Sequence, residues 1–473
     1  MNTAVNTSSV ELNFIHKVRQ HLNSLLNTGV LEGFVCTALR RRVYSATLFN
    51  GIHHTKGPLQ ENRPFQLDVS LLMPEQKGVG FSLEAMSMQL FIYQLEFALA
   101  QAVELRHRMH FEKQSSYPKL ALSSDEILRC FEQGHAASRT TQILEDADLR
   151  AALVTHPRMM NREVSASIAM SSKIYTDSSG NFVEEMSTSS SLMVSFSLED
   201  SSESHSDLFS ALPTANEIKR VVEEASKNIV RVSVKPLDEQ KSYPVLLTHK
   251  AVGDLFDQLV LPNLETRTLL DKTGAWEFGN LDSRVLADLT IEDNPHLDQS
   301  PFSAVFDFEG TPTKPVKIIK SGFLVHPLMT STLLAEVEGL YPQLKGRFLL
   351  TGHAESTNTT SFTNLFFRVE KPPLFDLSKH SYIQVQNLTG MSVDPLTGQF
   401  ALDSDGAKVY DEGKLSYSTS LTLRGNLFEA LKHPSTRVGQ LERHFNSWTP
   451  SLYTEALSCV SKELAQNFEE DNL

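Results

Sequence analysis

The feature of the sequence that most constrains the fold is a serine-rich stretch, residues 165–206, in which apolar side chains recur at every second position. The alternation forms two arms, and a turn-like sequence at residues 177–181 separates them. A period of two places successive side chains on opposite faces of an extended chain, so we predict two antiparallel strands with serines on the solvent face. A flexible serine-rich linker is the alternative, and the regular alternation argues against it. The alternating apolar residues are Val164, Ala166, Ile168, Met170, Leu192, Val194, Phe196 and Leu198.

Helices and strands alternate upstream of this stretch. Ser8 and Glu11 form a capping-box sequence, and apolar residues at helical spacing follow it, so a first helix is predicted to begin there. Residues 34–49 and 65–72 have strand-like composition and alternation, and residues 85–110 are predicted to form a long helix. This order of elements predicts an α+β first domain.

The second part of the chain shows a different pattern. Residues 214–217 form another capping-box sequence at the start of a predicted helix. From residue 302 onward, short β segments separated by turn residues dominate, and a last helix is predicted over residues 451–468. We therefore predict an α+β fold: an N-terminal α/β-type domain with antiparallel strands, residues 1–212, followed by a β-rich C-terminal domain, residues 213–473. The predicted β segments include residues 316–319, 348–350, 365–369, 382–385 and 418–423.

Charge and cysteine content restrict the partners and the compartment. The 473 residues include 43 basic and 57 acidic side chains, a net charge of −14, which argues against nucleic acid and anionic membranes as partners. The three cysteines lie far apart without a CxxC pair, as expected in a reducing compartment. Glutamine and glutamate interrupt the most apolar stretch, residues 85–105, and the first residues lack a signal-peptide pattern. We therefore predict a cytoplasmic protein without a membrane span.

The sequence contains none of the common hydrolase or nucleotide-binding motifs. None of the 16 histidines is followed by glutamate, so neither an HExxH nor an HExxxH zinc-peptidase helix is present. A phosphate-binding loop and a GxSxG nucleophile elbow are also absent. We assign no catalytic residue and no metal ligand to this chain.

One segment has a spacing close to that of a metal-binding helix. His249 and Asp254 could be ligands, but Lys250 stands beside them, and its cation would repel a metal and cannot act as a carboxylate base. The alternative is a core helix with His249 near its exposed start. We favour this alternative because apolar residues form one helical stripe. The stripe consists of Ala251, Val252, Leu255, Phe256 and Leu259.

A second segment places Glu104, His107 and His110 at three-residue spacing near the end of the long predicted helix. One helical face could present all three side chains to a metal ion. A solvated helix end is the other interpretation, since cations are favoured at the C-terminal end of the helix dipole. We favour the solvated helix end.

Several short segments of the second half form an ordered set with regular spacing. They are residues 243–247 (YPVLL), 289–297 (LTIEDNPHL), 302–313 (FSAVFDFEGTPT), 318–324 (IIKSGFL), 351–354 (TGHA), 363–365 (TNL), 394–400 (DPLTGQF) and 423–427 (LRGNL). Together they resemble the TldD/PmbA family, and specifically its PmbA (TldE) branch, which lacks the HExxxH zinc motif. The N-terminal third matches only in the order of its elements, and the tail after residue 439 departs from the family.

The resemblance implies a part in a cytosolic peptidase system. In this family a TldD-type subunit carries the zinc site, and a PmbA/TldE-type subunit without that site pairs with it. The resemblance therefore implies a non-metal subunit of a heterodimeric metallopeptidase that matures or degrades peptides. It implies no cofactor in this chain, zinc in a TldD-type partner, and a peptide as substrate.

The resemblance also suggests which residues face the peptide chamber. We predict that these are Asp307, Glu309, Gly310, Gly352, His353 and Asn364. Phe306 and Phe308 alternate with the two acids, so the acids are expected to point away from the core. Alanine at either acid is expected to lower activity more than stability. A surface turn without a ligand is the alternative for this segment.

Two other functions stay open from the sequence. The chain could be a divergent, self-sufficient metallopeptidase with unrecognised ligands. It could also be a catalytically inactive scaffold or regulatory paralogue. The metal content of the purified chain distinguishes the self-sufficient metallopeptidase from the scaffold. Association with a TldD-type partner distinguishes the subunit function from these two.

Overall fold

Two large β-sheets form the framework of the protein. The computed structural model describes residues 5–49, 52–53, 59–62, 65–104, 117, 129, 131, 135–145, 161–198, 201–227, 233–238, 242–286, 289–298 and 300–462. Strands outnumber helices in this part of the chain, and most strand pairs are antiparallel. The predicted α+β fold class is confirmed.

The first sheet is built from the N-terminal half of the chain. The elements up to residue 227 are α1 (Val5–Asn27), β1 (Gly33–Phe49), β2 (Ile52–His53), β3 (Leu59–Asn62), β4 (Gln66–Met73), β5 (Lys77–Leu83), α2 (Met88–Leu99), β6 (Val103–Glu104), α3 (Ala136–Leu144), β7 (Asn161–Asp177), β8 (Phe182–Leu198), β9 (Ser201–Phe209) and α4 (Ala215–Lys227). The order of its main strands is β6-β5-β4-β1-β7-β8-β9, and β2 and β3 pair with β1.

The serine-rich stretch forms the strands that its alternation predicts. Strands β7 and β8 pair in antiparallel register from Asn161 opposite Ser197 to Thr176 opposite Phe182. The turn between them is held by Asp177, whose carboxylate accepts hydrogen bonds from two backbone amides of the turn. Six of these apolar residues are buried under α3 and α4: Val164, Ala166, Ile168, Leu192, Val194 and Phe196. The hairpin lies inside the first sheet, between β1 and β9.

The two faces of the first sheet have different partners. Its helix-covered face packs against α1 and α2 at one end and against α3 and α4 at the other. On the opposite face, Val35 and Tyr175 pack against Phe306 of the C-terminal half. Lys173 and Glu185, cross-strand neighbours on this face, bind the backbone of the same segment: Lys173 donates to the Phe306 carbonyl at 3.0 Å, and Glu185 accepts from the Val305 amide at 3.1 Å. The hairpin thus joins the two halves of the chain.

Two N-terminal helices differ from the prediction at their ends. Helix α1 begins at Val5, so the capping-box sequence at Ser8 lies inside it. Residues 5–7 contain neither proline nor glycine, so the helix can extend through them. Helix α2 ends at Leu99, because the following residues form β6, which pairs with β5 at Lys77 and Gly78. Tertiary strand pairing here overrides the local helical pattern.

The second sheet has twelve strands and is built from the C-terminal half. Its elements are β10 (Val245–Leu247), α5 (His249–Leu259), α6 (Thr266–Asp271), β11 (Leu289–Asp293), β12 (Val316–Lys320), β13 (Phe323–Leu324), α7 (Ser331–Leu340), β14 (Leu365–Val369), β15 (Tyr382–Val385), β16 (Thr389–Asp394), β17 (Gln399–Asp411), β18 (Lys414–Asn426), α8 (Leu427–Lys432), β19 (Arg437–His444), β20 (Ser447–Thr454) and β21 (Ser458–Ser461). The main order is β13-β12-β11-β14-β20-β10-β15-β17-β18-β21, with β16 on β17 and β19 on β20.

The predicted helix over residues 451–468 is wrong for the part that the structure describes. Residues 447–454 form β20, which pairs with β10, β14 and β19, and residues 458–461 form β21. Strand β20 is buried on both faces, so its apolar residues do not alternate with polar ones as in a half-exposed strand. The segment at residues 348–350 is also not a strand; it is a loop anchored by the buried ring of Phe348 against Phe278.

The division into domains at residues 212 and 213 stays a prediction. Helix α4, which follows that point, packs its buried side chains Ile218, Val221 and Val222 on the first sheet. Within the described ranges, no helix has both the length and the hydropathy that a membrane crossing requires.

Candidate functional site

A cavity of about 830 Å³ lies where the end of the first sheet meets the second sheet. Its walls come from the end of β9 and the turn after it, from α4, from the start of α5, and from the β19–β20 hairpin. A cavity of this size can accommodate a few residues of a peptide. The charged residues, histidines and tryptophan that line it are His205, Asp207, Glu217, Arg220, Glu224, His249, Asp298, Glu442, Arg443 and Trp448.

Two strand edges border this cavity. Among the described strands, β9 pairs with β8 alone and β19 pairs with β20 alone. Residues 372–374 cover the first part of β19 through hydrogen bonds with Val438. At the end next to the cavity, β20 is the one described strand that pairs with β19, and the other side of β19 is open. An unpaired edge offers backbone donors and acceptors to an added strand. The cavity therefore has the backbone groups that could hold an extended chain.

Helix α5 brings His249 to the cavity, and it places Lys250 beside it, in the wall of a smaller cavity of about 230 Å³ that His205 and His249 also line. It follows the buried strand β10, and its apolar stripe from Ala251 to Leu259 is fully buried against the second sheet, as the sequence predicts. His249 is less exposed than predicted, because its side chain is only 17% accessible and lies 3.5 Å from a carboxylate oxygen of Glu442. The helix thus presents its polar first turn to the cavity.

Lys250 sets the electrostatics of this wall. Its ammonium group donates to Nδ1 of His205 at 2.9 Å, which requires a neutral imidazole. Burial, and then the Lys250 charge, lower the pKa of His205 to about 4, and the same two causes lower the pKa of His249 to about 4. Both imidazoles are therefore neutral at pH 7, next to a fixed cation.

The residues at this helix do not fit a zinc ion. Asp254 lies 3.7 Å from Nε2 of His444, and the rings of His249 and His444 are 6.5 Å apart between centroids. Across the part of the chain that is described, no three His, Cys, Asp or Glu side chains converge as metal ligands. Lys250 places a cation where a peptidase helix carries its carboxylate base. The absence of a metal from this chain remains a prediction that solution measurements must test.

Of the second metal-like spacing, Glu104, His107 and His110, the structure describes Glu104. Glu104 lies in strand β6, not on a helix. His107 and His110 lie outside the described residues. The interpretation of this segment as a solvated helix end is therefore wrong for Glu104.

The predicted residue Asp307 is buried, contrary to the expectation that it points away from the core. Its side chain is only 5% exposed. Oδ1 accepts from the amides of Glu309 and Thr311, and Oδ2 accepts from the amide of Ala354, each at 2.9 Å. The alternation of the acids with Phe306 and Phe308 does not predict their orientation, because the segment is a turn. In a turn, successive side chains do not alternate between two faces. Asp307 organises this turn.

Glu309 and Gly310 line a second cavity, of about 580 Å³, between the first sheet and α7. The Glu309 carboxylate accepts from the amide and the hydroxyl of Ser331, at 2.8 and 2.7 Å, and so caps the start of α7. Burial raises the pKa of Glu309 to about 7. Gly310 has φ of +74°, and a Cβ there would overlap the ring of Tyr175.

The other three predicted residues are buried near the acidic turn. His353 lies 3.3 Å from Asp293 through Nε2, and Asn364 donates to the Asn294 carbonyl and to the Ser303 hydroxyl. Gly352 has φ of +75°, and a Cβ on it would come within 2.5 Å of the Thr313 backbone. A role of Gly352, His353 and Asn364 in peptide binding therefore stays a prediction.

The six predicted residues thus gather around one turn, but none of them lines the 830 Å³ cavity. The sequence analysis missed the residues that do, above all His205, Arg443 and Trp448. The sequence pattern around His205 indicates only a serine-rich strand, and the tail after residue 439 shows only a departure from the family. The grouping of Arg443, His444 and Trp448 around a short turn is the signal that could have indicated the site.

Comparison with known proteins shows that the C-terminal part is similar to a known family. Residues 240–461 match the model of the PmbA/TldA metallopeptidase C-terminal domain. The metalloprotease PmbA of Escherichia coli O157:H7 is 27% identical over 224 residues, which is 47% of this chain and 46% of that protein. The uncharacterized protein MJ0231 of Methanocaldococcus jannaschii is 24% identical over 214 residues, 44% of this chain and 48% of its own length. The matched span covers about half the length of these curated relatives.

Solved structures share the fold over nearly the whole chain. A candidate modulator of a DNA gyrase from Thermotoga maritima superposes with a TM-score of 0.77 at 18% identity, covering 94% of this chain and all of the other. TldE from Thermococcus kodakarensis superposes with a TM-score of 0.71 at 16% identity, covering 93% of this chain and all of that one. At these identities the likeness establishes the fold.

Proposed function

Because the C-terminal part of this chain, residues 240–461, belongs to the TldD/PmbA family, we propose that the protein is the non-metal subunit of a TldD/TldE-like metallopeptidase complex. The complex would mature or degrade peptides in the cytoplasm. The zinc would lie in a TldD-type partner, and this chain would carry no cofactor of its own.

The observation that carries this proposal is the 830 Å³ cavity, which has the size and the strand edges for a peptide; among the residues that the structure describes, no three His, Cys, Asp or Glu side chains are placed there as metal ligands. Hydrolysis of a peptide bond needs an activated water, and a metal-dependent peptidase obtains it from its metal. Lys250, held against His205, gives the helix a cation at the position of a carboxylate base. The chain would therefore contribute to hydrolysis by holding peptide close to a metal that a partner supplies.

The proposed mode of peptide binding is addition of a strand. An extended peptide can pair with the free side of β9 or with the end of β19 through backbone hydrogen bonds, which do not depend on side-chain identity. Side chains of the peptide would then alternate between the cavity and solvent. This mode suits a subunit that handles many sequences.

Metal content and activity of the isolated chain test this proposal against a self-sufficient metallopeptidase. We expect well below one zinc per chain by elemental analysis and no peptidase activity after zinc is added, because the helix lacks a carboxylate beside His249. The His249→Ala variant is the matched control, since it removes the one histidine of the metal-like helix. One zinc per chain that is lost in this variant, together with activity, would establish the self-sufficient enzyme instead.

A further inference from the structure

Arg443 stands at the end of β19 in the wall of the 830 Å³ cavity. Its Nε donates to the carbonyl of Phe445 at 2.9 Å, and its guanidinium lies over the ring of Trp448, 5.4 Å from the centroid. One hydrogen bond and one stacking contact therefore fix the plane of the group. Little side-chain entropy would be lost if a ligand bound to it.

Among the described residues, Arg443 forms no direct ion pair, although the charge of Asp207 acts on it from farther away. Its Nη2 atom is buried without a hydrogen-bond partner. The nearby carboxylate of Asp207 is committed to Arg220, with which it forms an ion pair at 2.5 Å. Burial lowers the pKa of Arg443, as expected for a cation removed from water without a full counter-charge. A buried donor without a partner destabilises a fold, so its presence calls for a reason.

We propose that Arg443 receives the carboxylate of a peptide bound in this cavity. The proposal rests on the proposed function in taking the ligand to be a peptide. Guanidinium and carboxylate are complementary in shape and charge, and two parallel N–H···O bonds can form between them. The carboxylate could be the C-terminus of the peptide or an acidic side chain. Arg443 would fix the register of a strand that is otherwise held by its backbone.

The other acids of the lining restrict the ligand to one carboxylate. Glu217 is committed to the start of α4, where it accepts from the amide of Thr214 at 2.7 Å. Glu224, Asp298 and Glu442 make the rest of the lining electronegative. A polyanion would be repelled from these walls, whereas a peptide with a single carboxylate could place it on Arg443, because the other arginine of the lining, Arg220, is paired with Asp207. Inorganic phosphate is therefore expected not to compete.

Trp448 provides a direct readout of binding, since it lies in the cavity wall and is one of only two tryptophans in the chain. The full chain is titrated with acetyl-tetraalanine that ends in a free carboxylate, and the change in tryptophan fluorescence is followed. The same peptide with a C-terminal amide removes the charge, and acetyl-Ala-Ala-Glu-Ala-amide moves it to a side chain. The Trp448→Phe variant assigns the signal.

We expect the peptide with a free carboxylate to bind at least about tenfold more tightly than the neutral amide, as a charge-assisted hydrogen-bond pair provides. Arg443→Gln should abolish this difference and Arg443→Lys should reduce it, because lysine lacks the planar fork. Arg437→Gln is the matched control: Arg437 lies on the same strand, bonds to the carbonyls of Pro434 and Thr436, and should leave the preference intact. Tight binding of the glutamate peptide would identify the acidic side chain as the source.

Thermal unfolding of the variants separates ligand recognition from a structural role. If Arg443 serves a ligand, Arg443→Gln should leave Tm unchanged or raise it, since an unpaired buried charge is removed. A large fall in Tm in both Arg443 variants would assign a structural role and overturn the proposal. If the peptides bind equally well with and without the carboxylate, and the Arg443 substitutions change nothing, the role of Arg443 is wrong while the proposed function stands. Failure of every peptide to bind would overturn both.

Discussion

At the scale of single residues, the carboxyl group of Glu309 links the stability of the protein to pH. Its pKa is raised to about 7 by burial, from an ordinary value of 4.5, and the charge of Asp307 adds to the shift. Between these two values the folded protein binds a proton that the unfolded chain does not. The contribution of Glu309 to stability should therefore fall as pH rises from about 4.5 to about 7, and then level off.

The Glu309→Gln substitution should remove this dependence. The wild-type free energy of unfolding should fall by up to roughly 3 kcal/mol across that window relative to the variant, at about 1.4 kcal/mol per pKa unit. Glutamine keeps the shape of the protonated acid and can still accept from the Ser331 amide. Urea unfolding at half-unit steps between pH 4.5 and 8 measures the difference. A constant offset between the two proteins would show that Glu309 does not titrate in this range.

At the scale of elements, the turn at residues 305–313 joins the two sheets, and Asp307 holds it together. Replacing Asp307 by alanine would leave the amides of Glu309, Thr311 and Ala354 without their acceptor, at a cost of at least about 3 kcal/mol in the free energy of unfolding. The expectation from sequence, that activity would suffer more than stability, does not suit so buried a group. Urea denaturation at pH 7 measures the loss.

A neighbouring acid provides the control for this substitution. Asp298 is exposed, so Asp298→Ala should change stability by no more than about 0.5 kcal/mol. If Asp307→Ala were as mild, the turn would not depend on the three amide bonds, and a ligand-binding role for Asp307 would become the better account.

The elements that the sequence predicted well are those whose apolar pattern has one buried face. The β7–β8 hairpin alternates because helices cover one side of it, and α4 and α5 show a single apolar stripe for the same reason. Strand β20 was mistaken for part of a helix because it is buried on both sides, which removes the alternation. The early end of α2 was missed because the pairing of β6 with β5 involves residues far from it in sequence.

The candidate site was less predictable than the fold, for a related reason. Local motifs identified the turn at residues 305–313, because Asp307 binds the amides of Glu309 and Thr311, which lie two and four residues away in sequence. The cavity instead combines His205, His249 and Arg443, which come together only because the first sheet packs against the second. A spacing rule cannot detect a constellation that depends on tertiary packing between two halves of the chain.

At the scale of the whole molecule, the central claim is that this chain acts beside a metal-bearing partner. A shared peptide chamber requires a specific interface, of at least roughly 1,000 Å² in total, that brings the partner's metal to the cavity. Such a complex should survive dilution to micromolar concentration. A symmetric homodimer or a lone scaffold would need no metal-bearing partner and would not change the peptidase activity of a TldD-type protein.

The most direct test mixes the purified chain with a TldD-type protein from the same cell and follows mass and peptidase activity together. Size-exclusion chromatography with light scattering should show a 1:1 complex, and hydrolysis of an unstructured peptide should rise well above that of the partner alone. A partner with its HExxxH glutamate replaced by glutamine is the control, and it should bind equally but remain inactive. If the chain elutes apart from the partner and leaves its activity unchanged, the subunit function is wrong.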